Sequence, residues 1–312
     1  MERELWSELA AAVAAVDASW REPARYVHPT AGIVRVHLWA ALHDRPASWA
    51  CQAQHWLPLR PAALPDQSTV SRRTRGGHGK SFEAFCRAVG EALERRGGAP
   101  APAPAPAPAA RLLHLRRLDG KPLPVAAHST DRDARWGRGA GQRAKGYKLH
   151  AVTSAGRAMP EQWAVAPLDV DERVVARRFA ARLGGGGGCG YVLADAMYDA
   201  ADLHERCAAA GHRLLAPRGK PGTGRGHRRQ SRHRLRCVDQ LEPPPHASRF
   251  GRRLHGEHRG HVERDFGNLT GFGGGLTCLP PWARRIWRVR NWVHAKLLIN
   301  AARIVRLRRL RA

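Results

Sequence analysis

Carboxylates are scarce in this chain. Of its 312 residues only 26 are Asp or Glu, against 53 Lys or Arg, and the formal net charge is +27. That balance excludes a protein built to bind cationic partners across its surface. An excess this large repels itself until an anion screens it, and nucleic-acid phosphate is the commonest such anion. Arg far outnumbers Lys, and a GC-rich coding bias raises Arg, Ala, Gly and Pro together, but such a bias does not explain twice as many basic as acidic residues. The six cysteines, Cys51, Cys86, Cys189, Cys207, Cys237 and Cys278, form no C-x-x-C pair, so the usual zinc-ribbon spacing is missing. The N-terminus MERELWSELAAAV lacks the apolar stretch of a secretory signal, and no run reaches the roughly 18 apolar residues of a membrane span. Reduced thiols in a soluble intracellular protein are therefore expected.

What is present divides into two parts. Residues 1–98 read as a helical DNA-binding domain. Gly32–Leu42 carries Ile33, Val36, Leu38, Trp39 and Leu42 at helical spacing, and Arg45-Pro46 ends it. A second helix is expected over Ala47–Trp56, and a third begins at Asp66, whose side chain suits an N-cap, with Arg72 and Arg73 near its tip. Two short helices followed by an Arg-tipped one is the order of a helix-turn-helix reader, although an ordinary small bundle with a basic face has the same order. Residues 99–110, APAPAPAPAPAA, form neither helix nor ladder and read as an extended spacer.

Residues 111–312 are mixed α/β. Strands are expected over Leu112–Leu118, with Lys121–Ala127 continuing or following it, and over Tyr147–Thr153, Gln162–Ala166, Tyr191–Ala194 and Arg213–Ala216; helices over Asp171–Leu183, Ala201–Ala210 and His258–Leu269, with an Arg-laced helical tail from Trp282 to Arg311. The five-glycine run Gly184–Gly188 closes the first of these helices, and a basic, Gly- and Pro-rich insertion at about 217–250 reads as exposed and loosely ordered.

Against so basic a background the placement of the acids is informative. Asp119 and Asp195 each end a short apolar strand, and neighbouring strands set such residues about 5 Å apart. Glu263 lies in a helix among His258, Arg259, His261 and Arg264. Three carboxylates meeting at one point suit two Mg²⁺ or Mn²⁺ ions, which activate a water and stabilise the leaving oxygen in phosphodiester cleavage. Taken singly, each acid is as well explained as a turn residue or a solvated ion pair.

Four segments resemble insertion-sequence DDE transposases of the IS-four/IS-five type superfamily: LDGKPLPV with KGYKLHAV (118–125, 145–152), ADAMYDA (194–200), GHRLLAPRG with GHRRQSRHRLR (211–219, 226–236), and HVERDFGNLTGFGGGLTCLPPWARRIWRVRNWVHAKLLIN (261–300). The likeness covers about residues 112–305. It implies an RNase H-like mixed sheet flanked by helices, preceded by the small all-α domain. It also implies that Asp119, Asp195 and Glu263 are the catalytic, metal-binding triad for two Mg²⁺ or Mn²⁺ ions. Arg259 matches the Arg that many relatives carry four residues before the Glu; Tyr198 and Asp199 match the Tyr-Asp after the second Asp. Met197 stands where Gly is common, and Gly256 and Thr270 where many relatives have Tyr and Lys. Contacts to DNA are expected from Arg259, Arg72, Arg73, Lys145, Lys148, Arg228 and Arg229. The resemblance further implies double-stranded transposon-end and target DNA as partners, a homodimer on DNA, no membrane, and a cytoplasmic, nucleoid-associated bacterial protein. Trp287 and Trp292 read as packing residues before base-stacking ones. Two other readings remain open: a catalytically decayed DNA-binding protein that keeps the fold, and a metal-dependent nuclease without strand transfer.

Overall fold

The computed structural model describes residues 2–22, 26–57, 59, 63–76, 79–98, 115–126, 128–139, 141–184, 190–219, 230–272, 275–276 and 278–311. The Ala-Pro spacer at 99–110, most of the glycine run, and Arg228 and Arg229 lie outside them. The chain falls into two compact units: residues 1–101, 124–134 and 268–312 form one, and residues 102–123 and 135–267 the other.

The first unit is helical. Its elements are α1 (Glu2–Asp17), α2 (Thr30–Leu42), α3 (Ala47–Ala50), α4 (Gln67–Arg73), α5 (Gly79–Arg96) and α11 (Ile286–Arg309). In α1 the buried residues Leu5, Leu9, Ala12 and Val16 repeat every three or four positions, the stripe of a helix with one face inward. Phe82, Phe85, Cys86, Val89 and Leu93 do the same in α5. The C-terminal α11 is buried nearly all round from Asn291 to Ala302 and packs against α1, α2 and α5. The tail of the chain thus completes the N-terminal bundle, because a helix apolar on every side has to be enclosed by others. Lys296 is fully buried there; its ammonium donates to the Ala41 carbonyl and to Asp44 Oδ1, both at 2.6 Å, closing the C-terminal end of α2. The segment 124–134 belongs to this unit through Asp133, whose Oδ2 accepts from the Ile286 N–H (3.0 Å) at the start of α11. The expected second helix, 47–56, is split into α3 and a 3-10 turn, Ala53–Trp56, and Asp66 caps α4 as expected by accepting from Thr69 N–H at 2.8 Å.

Two histidines inside this bundle give it an acid weakness. Burial holds His294 down at about 3 and lowers His37 as well. Both are therefore neutral in the folded chain and bind protons more readily once unfolded. Stability is fully present above the ordinary histidine value of 6.5 and is lost as pH falls below it toward 3. The loss is at most about 1.4 kcal/mol per pH unit per histidine. Urea unfolding followed by tryptophan fluorescence is expected to show this decline between pH 7 and pH 5, and His294→Gln is expected to flatten it. A slope unchanged by that substitution would remove His294 as its source.

The second unit is a curled mixed sheet between helices. Among the described residues its strands are β1 (Leu115–Pro124), β2 (Arg135–Gly139), β3 (Gln142–Ser154), β4 (Gln162–Pro167), β5 (Gly190–Leu193) and β6 (His212–Leu215), in the order β2-β3-β1-β5-β6. β2 and β4 share one side of the long β3: antiparallel pairing joins β2 to residues 142–146 and β4 to residues 147–152. β5 pairs parallel with β1 and with β6. This is the RNase H-like arrangement. The helices are α6 (Glu172–Ala180), α7 (Ala201–Ala209), α8 (Arg232–Leu241), α9 (Phe250–Arg259) and α10 (His261–Thr270), the last running past the unit's boundary.

Alternation along β5 explains the layering. Val192 and Ala194 join Leu118, Val175, Phe179, Tyr198 and Leu203 in the core beneath α6 and α7, while Tyr191 and Leu193 join Leu215, Cys237 and Leu254 beneath α8 and α9. A strand covered on both faces is apolar without a break, which is why YVLA carries no period-two signal. Two expectations are corrected. The stretch 217–250 is not uniformly loose: Ser231 Oγ accepts from the His233 and Arg234 N–H groups and starts α8, which buries Cys237 and Val238. The expected single helix over 258–269 is instead α9 and α10, separated at Gly260. β2 was not foreseen; RWGRG is too short and polar to read as a strand until β3 pairs with it.

Candidate active site

The parallel register of β1 on β5 sets Leu115 opposite Tyr191, Arg116 opposite Val192 and Arg117 opposite Leu193. Continued for two residues, that register sets Asp119 beside Asp195. Asp119 is part of β1, and its Oδ1 accepts from the Gly120 N–H at 2.8 Å. Asp195 follows β5 and caps the 3-10 turn Ala196–Tyr198, with Oδ1 accepting from the Met197 N–H at 2.8 Å.

Arg259, in the last turn of α9, joins the two acids. Its Nη2 donates to Asp119 Oδ2 at 3.1 Å and stands 4.0 Å from Asp195 Oδ2. The ring of His255, one turn earlier, meets the Ala194 carbonyl at 2.9 Å and ties α9 to the end of β5. Despite the guanidinium, both carboxyls are raised above the ordinary carboxylate value. Burial is the largest cause for each; Arg259 opposes it, while the neighbouring acids reinforce it.

A third acid enters from the other side of β1. Glu172 opens α6, which Asp171 caps by accepting from the Arg173 N–H at 2.8 Å. Glu172 Oε1 accepts from the ammonium of Lys148 on β3, and its charge raises both Asp119 and Asp195. The Tyr198 hydroxyl lies fully buried beside Glu172, and burial together with that acid raises it well above its ordinary value. Asp199, next in the chain, is a brace: Arg234 of α8 donates to it at 2.6 and 2.7 Å, and its carboxyl is held down at about 2.

The remaining site residues read from the sequence are placed as follows. Glu263 is exposed in the first turn of α10 and, among the described residues, makes no hydrogen bond or ion pair. Arg72 is exposed at the tip of α4. Arg73, its neighbour, is buried; it donates to the His28 carbonyl (2.7 Å), Thr30 Oγ1 (2.6 Å) and Glu22 Oε1 (3.0 Å), with its guanidinium 3.5 Å from the centre of the Tyr26 ring. Lys148 is buried against Glu172, and Lys145 is half-buried on β3. Trp292 is buried, and with Trp282, Trp287, Arg45 and Arg288 it walls a cavity of about 150 Å³ within the helical unit, well apart in sequence from the acids. Glu172 was legible in the sequence only as an acidic residue favouring the start of a helix.

Among the described residues no three of His, Cys, Asp and Glu stand arranged as a ready metal site. The donor set nonetheless suits a hard dication. Two carboxylates with raised proton affinity, the half-buried Asp119 and the more exposed Asp195, flank one guanidinium, which fills the place of a cation. No helix among the described residues is long and apolar enough to cross a membrane. A search of curated proteins returns no match for the chain. The family model described as "Transposase DDE domain" matches residues 116–299, more than half of the chain and inclusive of Asp119, Glu172, Asp195, Arg259 and Glu263, and the chain therefore belongs to the DDE transposase family.

Proposed function

We propose that this transposase cuts insertion-sequence ends and joins them to target DNA by divalent-metal-dependent phosphodiester chemistry, with Asp119 and Asp195 as its cation-holding acids. The observation that carries this is the pair itself: the half-buried Asp119 on β1 and the more exposed Asp195 just past the end of the parallel β5, both with raised proton affinity, on either side of one Arg259 guanidinium. Bound there, Mg²⁺ or Mn²⁺ supplies the charge that activates an attacking oxygen and stabilises a departing one. The chain's own residues set the geometry. The β1–β5 register fixes the spacing of the two acids, and the Gly120 and Met197 amides hold one oxygen of each so that the other stays aimed at the shared cation position.

Glu263 is the third acid of the family pattern. It lies one turn beyond Arg259 across the α9–α10 break, and its exposure suits an acid that joins the pair once DNA is present. Arg259 then turns from carboxylate to phosphate, a planar donor fork serving both. The N-terminal helices α2, α3 and α4, ending at the exposed Arg72, supply end recognition, with Lys145, Arg228 and Arg229 as further phosphate contacts. Joining two ends calls for two copies on DNA, in the cytoplasm where the nucleoid lies.

The test uses the inverted repeats flanking the coding region as substrate with a supercoiled target plasmid. The expected product is end cleavage and joining in Mg²⁺ or Mn²⁺ and none in EDTA. Nicking without joining would reduce the protein to a nuclease; a gel shift without nicking in either metal would reduce it to a DNA-binding protein.

A further inference from the structure

The hairpin of β2 and β3 turns a charged face to solvent. Gly141, in the left-handed region at φ 81°, reverses the chain between Gly139 and Gln142. The antiparallel register then sets Trp136 opposite Lys145 and Arg138 opposite Arg143. Residues opposite one another in a ladder point to the same side, so these four share one face, while Gly137 and Gly139 belong to the other. The glycine face is the inward one. A Cβ at Gly137 would come 2.2 Å from the Leu168 carbonyl oxygen, and one at Gly139 would come 3.2 Å from Pro122 Cβ. β2 lies against that backbone only because Gly137 has no side chain. The sequence RWGRG therefore presses its glycines inward and holds Trp136 and Arg138 outward.

The outward face has the wrong charges for a structural role. Arg138, Arg143 and Trp136 are exposed, the ring at 47 %. Opposed side chains in a ladder start about 5 Å apart, and like charges there repel. Among the described residues no carboxylate bonds Arg138 or Arg143; the Arg143 guanidinium instead lies over the Trp136 ring, 5.6 Å from its centre. A ring under a guanidinium orients its flat fork without neutralising it. The face is also close to the acids. Gly139 rests beside Pro122, three residues beyond Asp119 on β1, which is roughly 10 Å along a strand. One helical turn of duplex DNA, about 34 Å, spans that distance easily.

We infer that Trp136, Arg138 and Arg143 form a face that binds duplex DNA beside the Asp119–Asp195 pair, with the two guanidiniums on phosphates and the Trp136 ring against the sugar edge between them. Phosphate oxygens supply the negative charge that the opposed arginines lack. Contacts of this kind carry no base sequence, so the face grips transposon-end and target DNA alike. The inference takes its DNA partner from the proposed function but does not depend on the metal chemistry.

The test is a salt series of gel shifts with the full chain in EDTA, on two duplexes of equal length: the flanking inverted repeat and an unrelated sequence. The double variant Arg138→Gln with Arg143→Gln is expected to lose about 10-fold or more in affinity for both at physiological salt, with the slope of log affinity on log salt shallower by about 2. Its melting temperature is expected at or above that of the parent, since a repulsion is relieved, so the weaker binding is not unfolding. Removing charge anywhere from a chain of net charge +27 weakens DNA binding, so Arg178→Gln with Arg182→Gln, an exposed pair in and just after α6, is the charge-matched control. That control is expected to lose no more than about 3-fold. Trp136→Phe keeps a ring for Arg143 and is expected to bind as the parent does, while losing part of the tryptophan quenching that DNA causes. A double variant that binds no worse than the control, or a loss confined to the inverted repeat, overturns the inference and leaves the proposed function standing. Quenching unchanged in Trp136→Phe overturns the place of Trp136 on the face. A parent chain that shifts neither duplex overturns the proposed function instead.

Discussion

Asp119→Asn is expected to lower Mg²⁺-dependent cleavage of transposon-end DNA by at least about 1,000-fold, roughly 4 kcal/mol of transition-state stabilisation, while leaving DNA affinity within a few-fold of the parent. Asparagine keeps the shape and the acceptor for the Gly120 amide but removes the charge that would hold a hard dication. The same substitution is expected to leave the fold intact. Burial already penalises the ionised Asp119 carboxylate more than Arg259 rewards it, so its removal relieves a cost of folding. The sign follows from the raised proton affinity. A carboxyl that holds its proton more tightly when folded makes the chain less stable as pH rises from the ordinary carboxylate value through the raised one. The metal-free parent should therefore gain stability on mild acidification from this pair, and Asp119→Asn should lose part of that gain. Cleavage at the parent rate in Asp119→Asn would remove it from the chemistry; a collapse in thermal stability would show that its role is structural.

Arg73→Ala is expected to destabilise the helical unit by about 3 kcal/mol, the low end for breaking a buried ion pair because Glu22 is partly exposed. The guanidinium ties α4 to the His28 carbonyl, to Thr30 at the start of α2 and to Glu22, and it covers the Tyr26 ring. Truncation leaves an acid and two acceptors without their donor at once. Arg72→Ala, one residue away and exposed, is expected to leave stability within about 0.5 kcal/mol and to weaken DNA binding with a shallower salt dependence. Chemical unfolding and a salt series of gel shifts on the two variants read these effects separately. An Arg73→Ala protein as stable as the parent would mean that this arginine is not the clamp its contacts describe.

These two arginines show where the sequence was legible and where it was not. The motif LDGKPLPV placed Asp119 in a strand, and ADAMYDA placed Asp195 just after one, because apolar runs closed by Asp are local signals. The strands β3 and β4 and the helices α6 and α7 were also readable from alternation or helical spacing, with Asp66 and Asp171 marking helix starts. Which way a side chain turns is not local. Arg72 and Arg73 look equivalent in sequence, yet the packing of α4 on the segment 22–30 buries one and exposes the other. Lys148 likewise reads as a surface cation on an alternating strand, and only the return of α6 over β3 gives it Glu172 as a partner. The enclosure of α11 by the N-terminal helices depends on contacts spanning more than 200 residues, which no pattern along the chain encodes.

The acid group also explains how so basic a chain keeps carboxylates together at all. Three acids in one region repel one another, and in this fold Lys148 and Arg259 hold them in place from opposite faces of β1. In the proposed function a divalent cation would relieve this arrangement, since it would offer more charge at one point than a guanidinium shared at 3.1 and 4.0 Å. Loading the site would then free Arg259 for the DNA backbone and couple cation and substrate binding through one side chain.

The most direct measurement is anomalous scattering at the manganese edge from crystals of the chain grown with Mn²⁺. The account predicts a peak within coordination distance, roughly 2.0–2.3 Å, of carboxylate oxygens of both Asp119 and Asp195, with the Arg259 guanidinium displaced from between them. Manganese bound elsewhere, with Arg259 still bridging the two carboxylates, would contradict it.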